Sequence, residues 1–271
     1  MTPDPLRLPC LSRPLRIYFF ADTHLQEHDP ADPLVPGFWR KNPTPALPRP
    51  GPELLRSHLD RAIEHQADLI LANGDLFHFP SPENAALAAE LFAECPLPVW
   101  TVPGNHDWFY PGQDGWEDLR ARQLPRLRDV YGDRPSHGVR EFDGLRVIGL
   151  DNSTYFLTET QTRFLQNEVD HGPALVMMHI PLGTPSLREA VIAKHGNPIL
   201  MNDPAGRVRE GIDPAPTHNA ARLLRTHPNV RAVLAAHVHL PFVEDIAPGV
   251  PQLIPEAGYR DGHRLLDCVP A

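Results

Sequence analysis

The sequence predicts an α/β fold: a four-layer αββα sandwich in which two mixed sheets pack face to face between outer helices. Two observations carry that expectation. Five short apolar runs, Ile17 to Ala21, Leu69 to Ala72, Val99 to Val102, Ala174 to Met178 and Ala232 to Ala236, are separated by helix-length segments, and continuous runs of this kind read as buried strands of a largely parallel sheet. Two further strand candidates, His137 to Phe142 and Leu145 to Leu150, flank Asp143-Gly144, and an Asp-Gly step between such runs signals a hairpin. One family of strands is thus mainly parallel and one contains hairpins, and two sheets with helices outside both is the natural packing.

The remaining elements follow in chain order. After the first run comes a Pro- and Asp-rich stretch, Gln26 to Pro52, containing Phe38, Trp39 and Arg40. A loop this long is uncommon without a function, and it leaves directly after His24, so residues 26–52 are expected to cover the site. Glu53 to His65 carries Leu54, Leu55, Leu59, Ala62 and Ile63 at helical spacing, and Ser81 to Ala93 does likewise, with Ser81 placed to cap and Pro82 in the first turn. Between Trp108 and Arg134 the pattern gives an aromatic-rich loop and one or two helices. Thr158 to Val169 and Thr217 to Thr226 read as helices. Residues 181–216 form a second long segment with a brief helical patch near Leu187 to Lys194, an insertion over the site. The tail, Phe242 to Val269, reads as short antiparallel strands broken by Pro248, Pro251 and Pro255. With 271 residues and no internal repeat, a single domain spanning 1–271 is the simplest organisation.

Composition narrows the function. Hydrophobic residues make up 41% and charged residues 22%, ordinary values for a chain with a real core. The net charge of −9 lacks the footprint of a general nucleic-acid binder. Arg120, Arg122, Arg126 and Arg128, and separately Arg207 and Arg209, read as solvated charge. Cys10, Cys95 and Cys268 have no metal-ligand spacing, so neither a disulfide framework nor a thiolate site is indicated. Met1 to Leu15 has no signal-like apolar stretch, and nothing approaches the ~20 apolar residues of a membrane span. The expected location is the cytoplasm, with no membrane partner.

Each of the five runs ends within three residues in a side chain able to bind a metal ion: Asp22-Thr23-His24, Asn73-Gly74-Asp75, Gly104-Asn105-His106-Asp107, His179, and His237-Val238-His239. Ligands gather beyond the carboxyl ends of parallel strands, so one edge of one sheet should collect these groups. Asp22 and His24, two apart on an extended strand end, would point to one side. Asp75 is the natural carboxylate to bridge two ions, Asn105 offers a neutral oxygen, and His179, His237 and His239 offer nitrogens. Carboxylate, amide oxygen and imidazole without thiolate suit Mn first, with Fe, Zn or Co alternatives. Two such ions, about 3.5–4 Å apart, polarise a phosphoryl oxygen and turn bound water into a hydroxide nucleophile near neutral pH. Neither a Gly-x-Ser-x-Gly elbow nor a Cys/His pair competes with that chemistry. His106 would stabilise developing charge or protonate the leaving alkoxide, and Asp107 would orient its ring. His28, His58, His65, His171, His195, His218 and His227 are read as surface or structural.

This ordered set resembles the calcineurin-like metallophosphoesterase superfamily over about residues 15 to 240. The resemblance implies an αββα sandwich, one metal held by Asp22, His24, Asp75 and His239, a second held by Asp75, Asn105, His179 and His237, and His106 as the catalytic imidazole. Two departures stand out. The last motif usually begins Gly-His and here begins Ala236-His237. Purple acid phosphatases carry a Tyr ligand three residues after the bridging Asp, where this chain has His78, so a purple-type iron site is not implied and His78 is either a pocket residue contacting substrate or an ordinary loop histidine; Arg260 is a separate candidate phosphate contact. Ala-Asp-Thr-His-Leu and Gly-Asp-Leu-Phe are locally similar to repair nucleases of the SbcD type, but those add a DNA-binding capping domain. The expected substrate is therefore a small phosphomonoester or phosphodiester, such as a nucleotide or cyclic nucleotide, ahead of DNA. A non-catalytic scaffold of the same fold ranks last, because such relatives lose ligands or the catalytic His and all are present here. Phe38, Trp39, Trp108, Phe109, Tyr110, Tyr155 and Tyr259 are expected to pack loops rather than stack on a base.

Overall fold

The computed structural model describes residues 5–32, 34, 51–110, 116–203 and 212–271, with the backbone alone at 116–119. Its strands are β1 (Leu6–Arg7), β2 (Leu15–Phe20), β3 (Leu69–Asn73), β4 (Val99–Val102), β5 (His137–Phe142), β6 (Leu145–Leu150), β7 (Ala174–Met178), β8 (Val230–Leu234), β9 (Phe242–Ala247), β10 (Val250–Ile254) and β11 (Arg264–Val269). The helices are α1 (Gly51–Glu64), α2 (Pro82–Glu94), α3 (Trp116–Tyr131), α4 (Glu159–Asp170), α5 (Pro185–His195) and α6 (Ala215–Thr226).

One sheet has the order β1-β11-β2-β3-β4 and the other β5-β6-β7-β8-β10-β9. Both are mixed: β2-β3-β4 and β6-β7-β8-β10 are parallel, β11 runs antiparallel to β2 and parallel to β1, and the flanking β5 and β9 run antiparallel to β6 and β10. The two mixed sheets expected from the sequence are present, and each is built around a parallel centre. Each antiparallel strand lies at or near an edge.

Alternation along each strand builds the layers. Ile17 and Phe19 of β2 and Leu69 and Leu71 of β3 meet Val147, Leu175, Met177, Ala232 and Leu234 between the sheets. Tyr18, Phe20, Ile70 and Ala72 face outward and pack on Leu55, Leu59 and Ala62 of α1, Ala85, Ala88 and Leu91 of α2, and Leu127 and Val130 of α3. Ile148, Val176 and Met178 turn the other way, onto Leu165 and Val169 of α4 and Ala220, Ala221 and Leu224 of α6. Two apolar faces per strand explain why these runs read as unbroken.

Local signals set the element ends. The Ser81 side chain accepts from Asn84 N at 3.1 Å with Pro82 in the first turn of α2, and Thr158 forms a capping box with Gln161 at α4. Asp143 and Gly144, at φ 52° and 80°, close the β5-β6 hairpin as the paired left-handed residues of a tight turn do. The brief helical patch expected near residues 187–194 is the full α5, capped by Thr184 and ended by Gly196 at φ 75°. The tail departs most from expectation. Its strands divide between the sheets, β10 beside β8 and β11 beside β2, because the short 3₁₀ turn Gly258–Arg260 carries the chain across. Long-range register of this kind leaves no local pattern. No helix among the described residues is long and apolar enough to cross a membrane.

Candidate active site

The carboxyl ends of β2, β3 and β4 in one sheet and of β7 and β8 in the other open onto a common place, so the site straddles two sheets and is not confined to the edge of one. Asn73, the last residue of β3, holds the junction. Its buried side-chain amide donates to Met178 O at 3.0 Å and to Leu234 O at 3.2 Å, tying the end of β3 to the ends of β7 and β8. Asn73 O accepts from His179 Nδ1 at 2.8 Å.

Beyond the strands the backbone is not extended. Asp22, His24, Asp75, His237 and His239 have φ of 56°, 50°, 48°, 69° and 48°, the left-handed region that residues other than Gly seldom adopt. The expectation that Asp22 and His24 share a side as alternate residues of a strand is corrected accordingly. Tight turns bring them together, and neighbouring turns hold one another: Asp22 N donates to Gly74 O and His24 N to Asp75 O, both at 3.0 Å, and His237 N donates to Asp22 Oδ2 at 3.2 Å. Strain of this kind persists where surrounding structure over-determines it. The fit is close enough that a Cβ on Gly104 would lie 2.2 Å from Asp75 Oδ1.

Two donor groups result, and Asp75 belongs to both. Asp22, His24, Asp75 and His239 place ligand atoms within 4.8 Å of one another, as do Asp75, His179 and His237. His179 Nε2 lies 3.2 Å from Asp75 Oδ2 and 3.8 Å from Asp22 Oδ1, while His239 Nε2 lies 3.3 Å from Asp22 Oδ1 and 3.1 Å from His24 Nε2. Asp22 Oδ1, Asn105 Oδ1 and His179 Nε2 are buried without a hydrogen-bond partner. Buried polar atoms are otherwise nearly always satisfied, so these orphaned atoms and the hard-oxygen and imidazole donor mix fit a pair of divalent ions. The electrostatics agree. Burial drives His24 and His237 well below the usual imidazole range, helped by neighbouring His106 and His179 respectively. Burial would do the same to His179, yet the carboxylates of Asp75 and Asp22 carry it up to about 9. Asp75 is buried, which favours its acid form, but His179, His106 and His24 hold it well below the carboxylate range.

His106 lies at the mouth of this cluster. Its backbone N donates to Asp75 Oδ1 at 2.8 Å, and its Nδ1 is 3.1 Å from His78 O, leaving Nε2 available. Asp107 does not orient that ring, which corrects the sequence expectation. Its Oδ2 accepts from Asp75 N at 2.8 Å and Gly104 N at 2.7 Å, and its Oδ1 from Phe77 N at 2.9 Å. Asp107 thus fastens the β3 and β4 turns together from below, and burial beside Asp75 raises its pKa to about 7. His78 is buried, stacked on His106 with ring centroids 5.2 Å apart, and its Nδ1 is 3.2 Å from His24 Nδ1. That places it behind His24, with burial and His106 lowering its pKa to about 3. Arg260 is more than half exposed, lies over Tyr259 at 5.5 Å, and is 3.7 Å from Glu256.

Other expectations divide. Trp108, Tyr110 and Tyr155 are buried, and the Tyr110 hydroxyl donates to Asp32 at 2.9 Å; Phe38, Trp39, Arg40, Arg207 and Arg209 lie outside the described residues. Arg120 pairs with buried Asp151 and so is not freely solvated, whereas Arg128 and its partner Asp133 are both exposed, as expected of solvated charge. Sequence reasoning missed Asn73 as a tie. It also missed the end of α5, where Lys194 and His195 donate to the carbonyls of His239 and Val238 and so grip the last ligand loop from residues 181–216. The signal was a polar residue closing a buried apolar run at Asn73; for α5 there was none.

Comparison with known proteins places this geometry. The chain is 24% identical over 193 residues to a probable cyclic nucleotide phosphodiesterase of a Synechococcus species, matching 67% of this chain and 61% of that one. It is 22% identical over 178 residues to the 3′,5′-cyclic adenosine monophosphate phosphodiesterase CpdA of Haemophilus influenzae, matching 65% of this chain and 56% of that one. The chain thus spans less than two thirds of the length of these curated relatives. In fold it is similar to a dimetal phosphatase of Danio rerio, with a TM-score of 0.61 at 13% identity over 99% of this chain and 100% of that one. It is also similar to a yellow lupin purple acid phosphatase, with a TM-score of 0.56 at 14% identity over 91% of this chain and 44% of that one. The profile of the calcineurin-like phosphoesterases matches residues 15–241, an interval that runs from the start of β2 to just past the last of the clustered histidines, and the chain belongs to that family.

Proposed function

We propose that this protein is a dinuclear-metal-dependent phosphoesterase that hydrolyses a small phosphate ester, with a nucleotide or cyclic nucleotide as its substrate class. The carrying observation is that Asp75 is common to both donor groups, so one carboxylate can join two cations. Asp22, His24, Asp75 and His239 would hold one ion and Asp75, Asn105, His179 and His237 the other, with Mn²⁺ first among the metals these donors suit. When bound, the pair supplies Lewis acidity to a phosphoryl oxygen and a lowered pKa to water. The chain supplies the rest. His106 donates Nδ1–H to the His78 carbonyl, and when Nε2 also carries a proton, taken from solvent before the reaction, that N–H can bond a phosphoryl oxygen or pass its proton to the leaving alkoxide. Asp107 keeps the His106 loop against Asp75 by accepting from the backbone N–H groups of Asp75 and Gly104.

The names of the curated relatives support cyclic nucleotides, and the net charge of −9 opposes an extended polyanion such as DNA. The test is a panel of para-nitrophenyl phosphate, bis-para-nitrophenyl phosphate, cyclic nucleotides and single-stranded DNA, each with Mn²⁺ and with chelator. Chelator-sensitive turnover of a small ester, lost in His106→Ala with ions retained, is the expected result. Turnover unaffected by chelator, or DNA as the sole substrate, would overturn the proposal.

A further inference from the structure

Metal-ligating imidazoles need a lone pair on one nitrogen and a partner for the other. The four clustered histidines each meet that need differently. His179 turns Nε2 toward Asp75 and gives Nδ1 to the Asn73 carbonyl. His24 turns Nε2 toward His239 and places Nδ1 beside His78. His239 turns Nε2 toward Asp22, and its Nδ1 lies 3.3 Å from the Tyr259 hydroxyl. His237 has Nε2 at 2.8 Å from the buried Tyr155 hydroxyl, which leaves Nδ1 as its ligand atom.

We infer that Tyr155 and Tyr259 are positioning residues, each fixing the tautomer and ring plane of one ligand histidine and so tuning one ion site separately from the other. The inference rests on the metal reading of the site proposed above. Three observations support it beyond the hydrogen bonds. Tyr155 has φ 72°, a left-handed conformation uncommon for a bulky residue, and the strained backbone delivers its hydroxyl to His237 with ring centroids 5.5 Å apart. Tyr259 sits on the 3₁₀ turn whose Gly258 N and Tyr259 N donate to Ala21 O and Asp22 O at 2.7 and 3.0 Å. The segment that orients His239 is therefore fastened to the loop carrying Asp22 and His24. The two tyrosines also approach from opposite sides of the β7-β8 pair, Tyr155 after β6 and Tyr259 after β10, and each meets a histidine of a different donor group.

The test uses the full chain stripped with chelator and titrated with Mn²⁺ by calorimetry, with bound metal counted by elemental analysis. The wild-type chain should take two ions. Tyr155→Phe should weaken one site 10- to 100-fold, as loss of an oriented ligand partner does, and Tyr259→Phe the other. His179→Ala leaves the Asp22, His24 and His239 group; in that background Tyr259→Phe should weaken the remaining ion and Tyr155→Phe should not. Phe keeps the ring, and unchanged melting of the ion-free variants shows that the effect is on the site. Two ions with unaltered affinities in both Phe variants would overturn the inference and leave the metal reading standing. A wild-type chain that binds no ion would remove that reading, and the inference with it.

Discussion

Replacing Asn73 by Ala removes the two amide bonds that join the end of β3 to Met178 O and Leu234 O. Both acceptors are in a buried strand-end environment, and a buried carbonyl left without its partner costs about 1–3 kcal/mol. The two together therefore cost about 2–6 kcal/mol. Asn73 Oδ1 is itself buried and unpaired, so its removal returns about 1–2 kcal/mol. The net loss is about 1–4 kcal/mol. The backbone carbonyl that receives His179 Nδ1 survives the substitution, so the effect falls on the sheet junction before the ions. Urea unfolding of ion-free protein reads it directly: with a slope of about 3 kcal/mol/M, the midpoint should fall by about 1 M. A shift under about 0.2 M, which corresponds to an ordinary surface substitution, would refute the idea that this amide holds the two sheets together.

Asp107→Asn should lower stability by about 2–3 kcal/mol, because whichever way the amide turns it sets N–H against the backbone N–H of Phe77 or of Asp75 and Gly104; a variant with wild-type melting but slowed turnover would return Asp107 to the catalytic role read from the sequence. Gly104→Ala places a methyl 2.2 Å from Asp75 Oδ1 and 2.4 Å from Asp75 N, so it should abolish binding of at least one ion, counted by elemental analysis. His58, bonded to Tyr18 and to Gly258 O, is held by burial at about 4 against 6.5 in the open chain. The unfolded chain takes up that proton first, so stability is intact above pH 6.5 and falls by about 3 kcal/mol as pH drops through the window to 4. His58→Gln should flatten that part of the unfolding profile. Adding Mn²⁺ at a hundred times its dissociation constant should stabilise the chelator-treated protein by about 2.7 kcal/mol per site, read as a rise in melting temperature.

Much of the fold and the residues of the cluster were legible because each depends on local pattern. An apolar run followed by Asp, Asn or His is visible wherever it falls, and Ser81, Thr158 and Asp143-Gly144 act on residues next to them. What was not legible depends on separation in sequence. Nothing near Asp107 says that its hydrogen-bond donors are the backbone N–H groups of Phe77, Asp75 and Gly104 rather than His106, and the identity of an adjacent histidine invited the wrong pairing. Alternation along a strand, likewise, gives the face of a residue but not the sheet that receives it, so β11 beside β2 and the two-sheet site escaped a reading of runs alone. His78 illustrates the same limit: its position three residues after Asp75 was plain, while its place between His24 and His106 depends on how the turns fold back.

The joining of both sheets at Asn73 has a consequence for biosynthesis. Asp22 leaves the ribosome more than two hundred residues before His237 and His239. On the proposed two-ion reading, neither donor group is complete until the segment bearing His237 and His239 has docked, so ion loading would follow completion of the fold.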